Sequence, residues 1–526
     1  MIYRSHRPMP DVPSALLSQH VLRDAAARGD RPALVDAATG ETLTFAEVLA
    51  QADAGAAGLA ADGLRPGDVV GLMSHNQPRY AVAVHAVLRA GGVVSPLNPA
   101  LTAGEIGKQL GHSKARALIV AEPLVDKAYE AIGGTGVDRV YVLGGHSLGR
   151  PFGELTAATG TAPALDLDPA SALAVLPYSS GTTGLSKGVM LTHRNLVANL
   201  EQTRVGWRVS EDDVLAGVLP FFHIYGFTII VNSALLAGAT LVTLPRFDLR
   251  GYLQVVQDHR VTRGHFAPPL VLTLATAPEV DEYDLSSLRT AVSGAAPLDE
   301  QLAARAEART GCVIRQGYGM TEASPGTHMV YDEDFATTPP GSVGTLFPGT
   351  EARLVDPATG EDVAPGETGE LLIRGPQVMA GYLDDPGATA ETITDGWLHT
   401  GDIARVDEKG DFYIVDRLKE LIKYKGYQVA PAELEAVLLT HPDVLDAAVI
   451  AMPDPTAGEA PKAFVVARRE LDPAALMAWV AERVAPYKKL RAVDFVAEIP
   501  KSPAGKILRR VLKAQEEASR SSVTDG

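Results

Sequence analysis

The chain has 526 residues, with 47 lysines and arginines against 64 aspartates and glutamates, so its formal net charge is −17. Hydrophobic residues make up 46% and charged residues 21%, which is typical of a soluble globular protein of two or three domains. The acidic balance argues against nucleic acid or an anionic membrane as a partner, because both attract a basic surface. A single cysteine, Cys312, excludes a disulfide framework and a cysteine-rich zinc site, and it fits a cytoplasmic location.

Strand and helix signals alternate through the first 150 residues. Residues 32–35 predict a strand, and the capping box from Thr44 to Glu47 begins a helix that runs toward Gly63. Alternation of this kind predicts parallel sheets covered by helices on both faces. The most apolar stretch, residues 227–244, is interrupted by polar residues. It predicts a buried helix and strand joined at Gly238 and no membrane insertion.

The pattern changes near Val343, where glycine and proline become frequent and short strands predict a small, β-barrel-like antiparallel subdomain. A second boundary falls at Asp416, and the residues beyond it predict a small α+β domain. We therefore expect an α/β protein with a large domain over residues 1–416 and a small domain over residues 417–526.

Residues 178–188 read Tyr-Ser-Ser-Gly-Thr-Thr-Gly-Leu-Ser-Lys-Gly and follow a buried apolar run. Glycines let backbone N–H groups approach a polyphosphate, hydroxyls donate hydrogen bonds and Lys187 supplies positive charge. We interpret the segment as a phosphate-binding loop between a strand and a helix. It is not a Walker loop, because Ser186 and Gly188 stand at positions where that motif requires glycine and a hydroxyl residue.

Six motifs follow one another between residues 178 and 506. They are the phosphate loop, Pro-Phe-Phe-His-Ile-Tyr-Gly (220–226), Gly-Tyr-Gly-Met-Thr-Glu (317–322), Trp-Leu-His-Thr-Gly-Asp (397–402), Asp-Arg-Leu-Lys-Glu-Leu-Ile-Lys-Tyr-Lys-Gly-Tyr-Gln (416–428) and Pro-Lys-Ser-Pro-Ala-Gly-Lys (500–506). In this order they make the chain resemble the adenylate-forming superfamily, most of all 4-coumarate–CoA ligases and bacterial cinnamate–CoA ligases. The resemblance implies that a carboxylic acid reacts with ATP to give acyl-AMP and pyrophosphate. Coenzyme A then displaces AMP.

The resemblance also implies roles in nucleotide binding. Thr321 would bind the α-phosphate, Glu322 would bind Mg²⁺, and Lys506 would bridge the α-phosphate and the carboxylate. Asp402 and Arg417 would bind the ribose, and Tyr318 would stack on adenine. The β- and γ-phosphates would lie on Ser179, Ser180, Gly181, Thr182, Thr183 and Lys187, with further nucleotide contacts from Gly294, Ala295, Ala296, Gln316, Gly317, Lys423 and Gln428.

Other positions are implied to serve the acid, the thiol and a domain movement. His223 would lie at the mouth of an acyl pocket formed with Tyr225, Gly226, Gly294, Gly317 and Met329. Gly226 stands where 4-coumarate–CoA ligases usually have alanine, which predicts a wider pocket. Coenzyme A would contact Arg246, Lys425 and Gly426, and the small domain would be mobile, rotating about Asp416.

Three alternatives share the nucleotide motifs. A medium- or long-chain fatty-acid–CoA ligase is the nearest, since few positions of the acyl pocket report on its shape. A luciferase-like oxidase of the adenylate would need oxygen chemistry, for which no residue pattern is present. A nucleotide-binding homologue without catalysis is disfavoured by the intact Lys506, Thr321 and Glu322. The sequence makes no prediction of oligomeric state.

Overall fold

The computed structural model describes residues 1–145, 148–157, 160–180, 186–424, 427–454, 457–502 and 505–524. Within these ranges the chain builds a large N-terminal lobe around three sheets and a smaller C-terminal lobe around a fourth sheet. The predicted α/β class, with a large domain followed by a small one, is confirmed.

The first sheet of the large lobe is built mainly from parallel strands rich in valine, leucine and isoleucine. β-Branched and aliphatic side chains on both faces suit a sheet that helices cover on each side. In spatial order its strands are Tyr178–Ser180, Ser186–Thr192, Leu173–Val175, Val93–Leu97, Val69–Met73, Ala117–Ala121, Arg139–Leu143 and Arg150–Pro151, and Gly381–Tyr382 also pairs with Ser186–Thr192.

The second sheet of the large lobe carries most of the candidate site. Its central strands are parallel, so their carboxyl ends meet at one edge. In spatial order its strands are Thr345–Leu346, Gly326–Met329, Val313–Gly319, Thr290–Ser293, Arg263–Phe266, Val214–Gly217, Thr240–Thr243, Pro32–Asp36 and Thr42–Thr44.

The third sheet is antiparallel, as predicted for the residues after Val343. It contains Tyr3–Arg4, Glu351–Val355, Gly369–Arg374, Trp397–Val406, Ile393–Thr394 and Phe412–Arg417. Its last strand brings Asp416 to the start of the C-terminal lobe. There, Ile403 packs against Leu421 and Ala430 across the junction between the lobes.

The C-terminal lobe packs helices on a sheet of the strands Tyr427–Val429, Ile422–Tyr424, Gly458–Ala467 and Val444–Asp454, with Ala492–Phe495 added at Gly458–Ala467. Its core includes the predicted helical positions Leu434, Leu438, Leu476 and Val480, all of which are buried. A buried core of its own is what an independent lobe requires.

The helices of the large lobe cover the two mainly parallel sheets. The predicted capping box is present: the Thr44 side chain accepts from the backbone of Glu47, whose side chain accepts in return. The α-helices of the large lobe are Leu17–Val21, Ala25–Arg28, Phe45–Ala61, Pro78–Arg89, Ala103–His112, Val125–Ala131, Phe152–Thr156, His193–Gly206, Ser233–Ala237, Leu249–Asp258, Pro268–Thr276, Glu300–Thr310 and Pro386–Thr392. Those of the small lobe are Pro431–Leu439, Pro473–Ala481 and Arg509–Thr524.

Shorter helical turns complete the fold. A π-helical segment at Tyr225–Asn232 runs into the helix before Gly238 and then into a strand, so the predicted buried helix–strand unit is confirmed. Single 3₁₀ turns occur at Glu122–Leu124, Pro278–Glu282, Thr321–Ala323, Asp332–Asp334 and Pro486–Lys488. No helix of the described chain is both long and apolar enough to span a bilayer.

One local prediction is wrong. The glycine- and hydroxyl-rich segment does not join a strand to a helix, because antiparallel strands flank it and pair Ser179 with Lys187. The helix begins only at His193, where Thr192 caps it. The described residues on the two sides of the predicted phosphate loop, 178–180 and 186–192, are therefore antiparallel strand partners.

Candidate active site

A cleft of about 1520 Å³ opens at the carboxyl edge of the second sheet and extends to the C-terminal lobe. Ligand sites of α/β proteins commonly lie at this edge, where loops leave neighbouring strands together. Tyr318 and Asp402 of the large lobe line the cleft, as do Lys501 and Lys506 of the small lobe. Both lobes therefore contribute polar groups to one space.

The strand pair that flanks the predicted phosphate loop ends beside Glu322. The Ser179 hydroxyl donates to the Glu322 carboxylate (Oε1) over 2.9 Å, and the Tyr382 hydroxyl donates to the same oxygen over 3.0 Å. The Lys187 ammonium lies 4.8 Å from the centre of the Tyr382 ring. The fold thus brings together three predicted site residues, Ser179, Lys187 and Glu322, and it adds Tyr382, which was not predicted.

Glu322 fits the predicted magnesium site. It lies with Thr321 on the 3₁₀ turn Thr321–Ala323, and within the described chain Oε1 takes both side-chain hydrogen bonds while Oε2 takes none. No cluster of three or more acidic, histidine or cysteine side chains suited to a metal occurs among the described residues. A lone carboxylate suits Mg²⁺ that shares its coordination with substrate phosphates and water.

The residues predicted to bind adenosine form a hydrogen-bonded pair. The Tyr318 hydroxyl donates to Asp402 Oδ2 over 2.5 Å, and Arg417 Nε lies 3.5 Å from Asp402 Oδ1. Burial raises the pKa of Asp402, and Arg417 and the Tyr318 hydroxyl oppose this rise. Asp402 is thus a buried acceptor held beside a cation, which suits recognition of ribose hydroxyls.

Lys506 reaches the cleft from the C-terminal lobe. The preceding Gly505 has a left-handed φ of +80°, and a Cβ there would lie 3.1 Å from Pro269 of the large lobe, so glycine fits this close approach. Burial, reinforced by the Arg417 charge, lowers the pKa of Lys506 to about 8, although Asp402 and Glu322 act in the opposite direction. The amine therefore lies within the electrostatic reach of both predicted nucleotide-binding carboxylates.

His223 lies at the cleft wall and is neutral at pH 7, because burial and the Lys506 charge lower its pKa to about 4. Its Nδ1 accepts from the backbone N–H of Tyr225 over 3.3 Å. The proton of the neutral ring is then on Nε2. His223 can donate one hydrogen bond to a carboxylate without adding charge.

Beyond His223 the cleft is lined by aromatic residues. Tyr225 donates to the carbonyl of Val292 over 3.2 Å and lies 3.2 Å from His265 Nδ1. The Trp207 and His265 rings pack edge to face with centroids 5.6 Å apart. Within the described chain, His265 Nε2 and Trp207 Nε1 are buried and lack hydrogen-bond partners.

The predicted glycines serve close approaches. A Cβ at Gly294 would lie 3.0 Å from the Tyr225 ring, and one at Gly317 would lie 3.3 Å from Val292. At Gly226 a Cβ would lie 2.1 Å from the carbonyl oxygen of Pro220. The interpretation of Gly226 as a pocket-widening residue is therefore wrong, because this glycine permits contact between backbones.

The segments predicted to contact the nucleotide contain Ala295, whose backbone is strained, and Gln316, which supports a neighbouring loop. Ala295 has a φ of +72°, in the left-handed region that non-glycine residues rarely adopt. Gln316 hydrogen-bonds the backbone of Leu298 through both its oxygen and its nitrogen, so it braces the loop after Ala296. Met329 is buried and lines the cleft, and its role in an acyl pocket stays a prediction.

The remaining predicted positions are distributed around the cleft. Lys423 lines it and pairs with Gln428 in a hairpin, whereas Arg246 is solvent-exposed at the end of the strand Thr240–Thr243. Asp416 is buried between the lobes. Gly181, Thr182, Thr183, Lys425 and Gly426 lie outside the described residues, so their predicted roles stay predictions.

Sequence reasoning missed Tyr382, Trp207 and His265. Tyr382 stands in a Gly-Tyr pair before Pro386, and Trp207 ends a helix, so neither belongs to a pattern that names a function. Their positions become informative only when the fold brings them to the cleft.

This two-lobed architecture, with a cleft closed by a lysine from the small lobe, is that of an adenylate-forming enzyme. The family model described as "AMP-binding enzyme" matches residues 21–383, and the one described as "AMP-binding enzyme C-terminal domain" matches residues 433–506. The chain belongs to the AMP-binding enzyme family. It is 44% identical over 526 residues to 4-coumarate–CoA ligase 5 of Oryza sativa subsp. japonica, covering 98% of this chain and 97% of that protein.

Solved structures give the same result. An anthranilate–CoA ligase in complex with anthranoyl-AMP matches with a TM-score of 0.88 at 27% identity, covering 96% of this chain and 98% of that one. ATP-bound MatB of Rhodopseudomonas palustris matches with a TM-score of 0.86 at 31% identity, covering 95% and 99%. Apo MatB of the same organism, also 31% identical, matches with a TM-score of 0.78, covering 96% of this chain and 99% of that one. The predicted family and enzyme class, an AMP-forming acid–CoA ligase, are confirmed.

Proposed function

We propose that this ligase converts an aryl-propenoic acid of the 4-coumarate type, ATP and coenzyme A into the acyl-CoA, AMP and pyrophosphate. The observation that carries the proposal is the position of Lys506, whose amine from the small lobe shares the cleft with Asp402 and Glu322 of the large lobe. The substrate type is taken from the relatives that match nearly the whole chain, which are named 4-coumarate–CoA ligases. A cytoplasmic location stays a prediction.

In the first step a carboxylate oxygen attacks the α-phosphorus of ATP, and the bond to the pyrophosphate oxygen breaks. The difficulty is that two anions must approach each other and negative charge grows on the α-phosphate. The ammonium of Lys506 would donate to both anions, and neutral His223 would donate to the carboxylate. Mg²⁺, when bound at Glu322, would neutralise phosphate charge.

In the second step the thiol of coenzyme A loses its proton to solvent, its sulfur attacks the acyl carbon, and AMP leaves with the electron pair of the broken C–O bond. We propose that the small lobe first rotates about Asp416, which withdraws Lys506 and presents the segment of Lys425 and Gly426. The higher TM-score against ATP-bound than against apo MatB supports an adenylation-type arrangement of the lobes in this structure.

The substrate type is supported by the wall of the cleft beyond His223. Trp207, Tyr225 and His265 suit an aromatic ring better than a flexible chain, because rings pack at defined angles on rings. Trp207 Nε1 is a donor and the Nε2 of neutral His265 is a potential acceptor, both without partners in the described chain. A hydroxyl on the substrate ring would bring a partner for such a donor or acceptor to this part of the wall.

The test is carboxylate-dependent exchange of pyrophosphate into ATP, followed by thioester formation with coenzyme A. The panel contains 4-hydroxycinnamate, cinnamate, benzoate and saturated fatty acids of graded length. We expect the highest kcat/KM for 4-hydroxycinnamate, by about tenfold over cinnamate, since an unpaired buried polar group costs about 1–3 kcal/mol. A preference for saturated chains would establish the fatty-acid alternative instead.

Two variants sharpen the test. His265→Met removes the ring nitrogens but keeps the volume similar, so it should reduce the preference for the hydroxylated acid over cinnamate. His20→Met is the matched control, because His20 is a buried histidine of the large lobe that pairs with Glu201. Equal preference in the wild type and in His265→Met would contradict the assignment of the wall. Oxygen-dependent light, or ATP binding without exchange for any acid, would overturn the ligase proposal.

A further inference from the structure

One short segment of the large lobe, residues 379–383, contacts both the turn that carries Glu322 and the strand that carries Lys187. The backbone N–H of Met379 donates to the carbonyl of Glu322 over 2.8 Å, and that of Leu383 donates to the carbonyl of Gly188 over 2.8 Å. Between them, Tyr382 pairs with Val189 of the strand Ser186–Thr192. The segment therefore joins the turn that carries Glu322 to the strand that carries Lys187.

The side chain of Tyr382 makes the same connection at the functional ends. Its hydroxyl donates to Glu322 Oε1 over 3.0 Å, and its ring receives the Lys187 ammonium at 4.8 Å. Tyr382 lines the cleft and is only 8% exposed. One rigid ring thus contacts both the predicted magnesium ligand and the predicted phosphate-binding cation.

These contacts have different chemistry and can be separated. The hydroxyl holds Oε1 of Glu322, so Oε2 would be the oxygen available to a bound metal, as an outer hydrogen bond orients a ligating carboxylate. The face of the ring attracts the Lys187 ammonium through its quadrupole and limits the directions that this long side chain adopts. Phenylalanine would keep the second contact and lose the first.

We propose that Tyr382 is a positioning residue that presents Glu322 to Mg²⁺ through its hydroxyl and Lys187 to the ATP phosphates through its ring. This inference rests on the proposed function, since it concerns the MgATP site of that reaction. It assigns to Tyr382 no contact with the reacting atoms. Its effect is therefore expected in metal and nucleotide binding rather than in recognition of the acid.

The experiment measures ATP binding by titration calorimetry without any acid, at a series of Mg²⁺ concentrations and in EDTA. Tyr382→Phe should raise the half-saturating Mg²⁺ concentration about tenfold, because a hydrogen bond to a charged group is lost, and leave metal-free ATP affinity within about twofold. Tyr382→Leu should show the same metal effect and in addition weaken metal-free ATP binding about threefold.

Tyr413→Phe is the matched control. The Tyr413 hydroxyl also donates to a carboxylate, Asp407, and its ring also carries a cation, Arg405 at 3.8 Å, but it lies in the antiparallel sheet and not among the residues that line the cleft. The Tyr413→Phe variant should bind Mg²⁺ and ATP with the affinities of the wild type. Thermal unfolding of all three variants reports whether they are folded.

The outcomes separate this inference from the proposed function. A wild-type half-saturating Mg²⁺ concentration in Tyr382→Phe, or metal-free ATP affinities that fall equally in the phenylalanine and leucine variants, would overturn the inference. If no acid supports pyrophosphate exchange in the wild type, the proposed function fails, while the calorimetric comparison of the Tyr382 variants still decides the inference.

Discussion

The pH dependence of adenylation follows from the surroundings of Lys506. Burial lowers the pKa of this amine to about 8, well below that of a free lysine. The proposed role requires the charged form, because the ammonium must donate to two anions. We therefore expect the adenylation rate at low substrate to fall as the pH rises through about 8.

The size of the effect comes from the pKa itself. With a pKa of about 8, about nine tenths of the amine is charged at pH 7 and about one tenth at pH 9. The kcat/KM for pyrophosphate exchange should then fall about tenfold over this range. Bound phosphates favour the ammonium, so kcat should stay level to a higher pH.

The assay is steady-state pyrophosphate exchange between pH 6.5 and 10, with attack of coenzyme A on supplied acyl-AMP as the control reaction. Burial raises the pKa of Tyr318 and of Tyr382, so we do not expect their titration to contribute to the pH profile in this range. Lys506→Arg should be slower but should lose the decline, since guanidinium stays charged. A decline of unchanged midpoint in Lys506→Arg, or a flat wild-type profile to pH 10, would refute the reasoning.

The same pKa has a consequence for stability. A folded pKa of about 8 against 10.5 for a free lysine amine corresponds to about 3 kcal/mol of destabilisation from the buried charge. The unfolded chain binds more protons between these values, so the cost is complete below pH 8 and disappears as the pH rises through about 10.5. Lys506→Met should thus raise the free energy of unfolding at pH 7 by up to about 3 kcal/mol and abolish adenylation, as urea titration and exchange assays would report.

Asp402→Asn should raise the KM for ATP about tenfold in steady-state kinetics, because a buried charged acceptor is lost, and an equal rise in the KM for the acid would contradict the ribose role. Arg509→Met should lower the free energy of unfolding by about 3 kcal/mol in urea, because buried Glu435 loses the Arg509 Nη2 that donates to both of its oxygens; a change below about 1 kcal/mol would show that the pair is dispensable. Gly226→Val should reduce soluble expression and the Tm, since its Cβ would lie 2.1 Å from Pro220, and a wild-type Tm would show that the backbone yields there.

Much of the fold could be predicted because its signals are local. The helix Phe45–Ala61 follows from a capping box that lies within four residues, and the strand Val69–Met73 follows from an apolar run. The error at the phosphate loop has the same origin. Glycine and hydroxyl content indicates that the backbone turns and binds anions, but it does not determine which element follows the turn.

The site could be predicted only where residues stand in recognisable strings. Tyr318, Glu322 and Lys506 belong to such strings, and the structure brings all three to one cleft. Trp207 and His265 meet because a helix end and a strand of the second sheet are packed together, and no spacing along the chain announces that contact. Buried polar atoms without partners are likewise a property of packing.

The position of the small lobe depends on contacts that are remote from the substrates. The Asp416 carboxylate accepts the N–H of Ala432, so the last strand of the large lobe is tied to a helix of the small lobe. Arg509 binds Glu420 over 2.6 Å, which fixes the segment just after Asp416 to the element that follows Lys506. A rotation that withdraws Lys506 must therefore concentrate its backbone change at Asp416 and must break or carry along the bond to Ala432. In the proposed rotation the Lys506 amine would move with the whole small lobe, so the hinge as well as the cleft would set the geometry of adenylation.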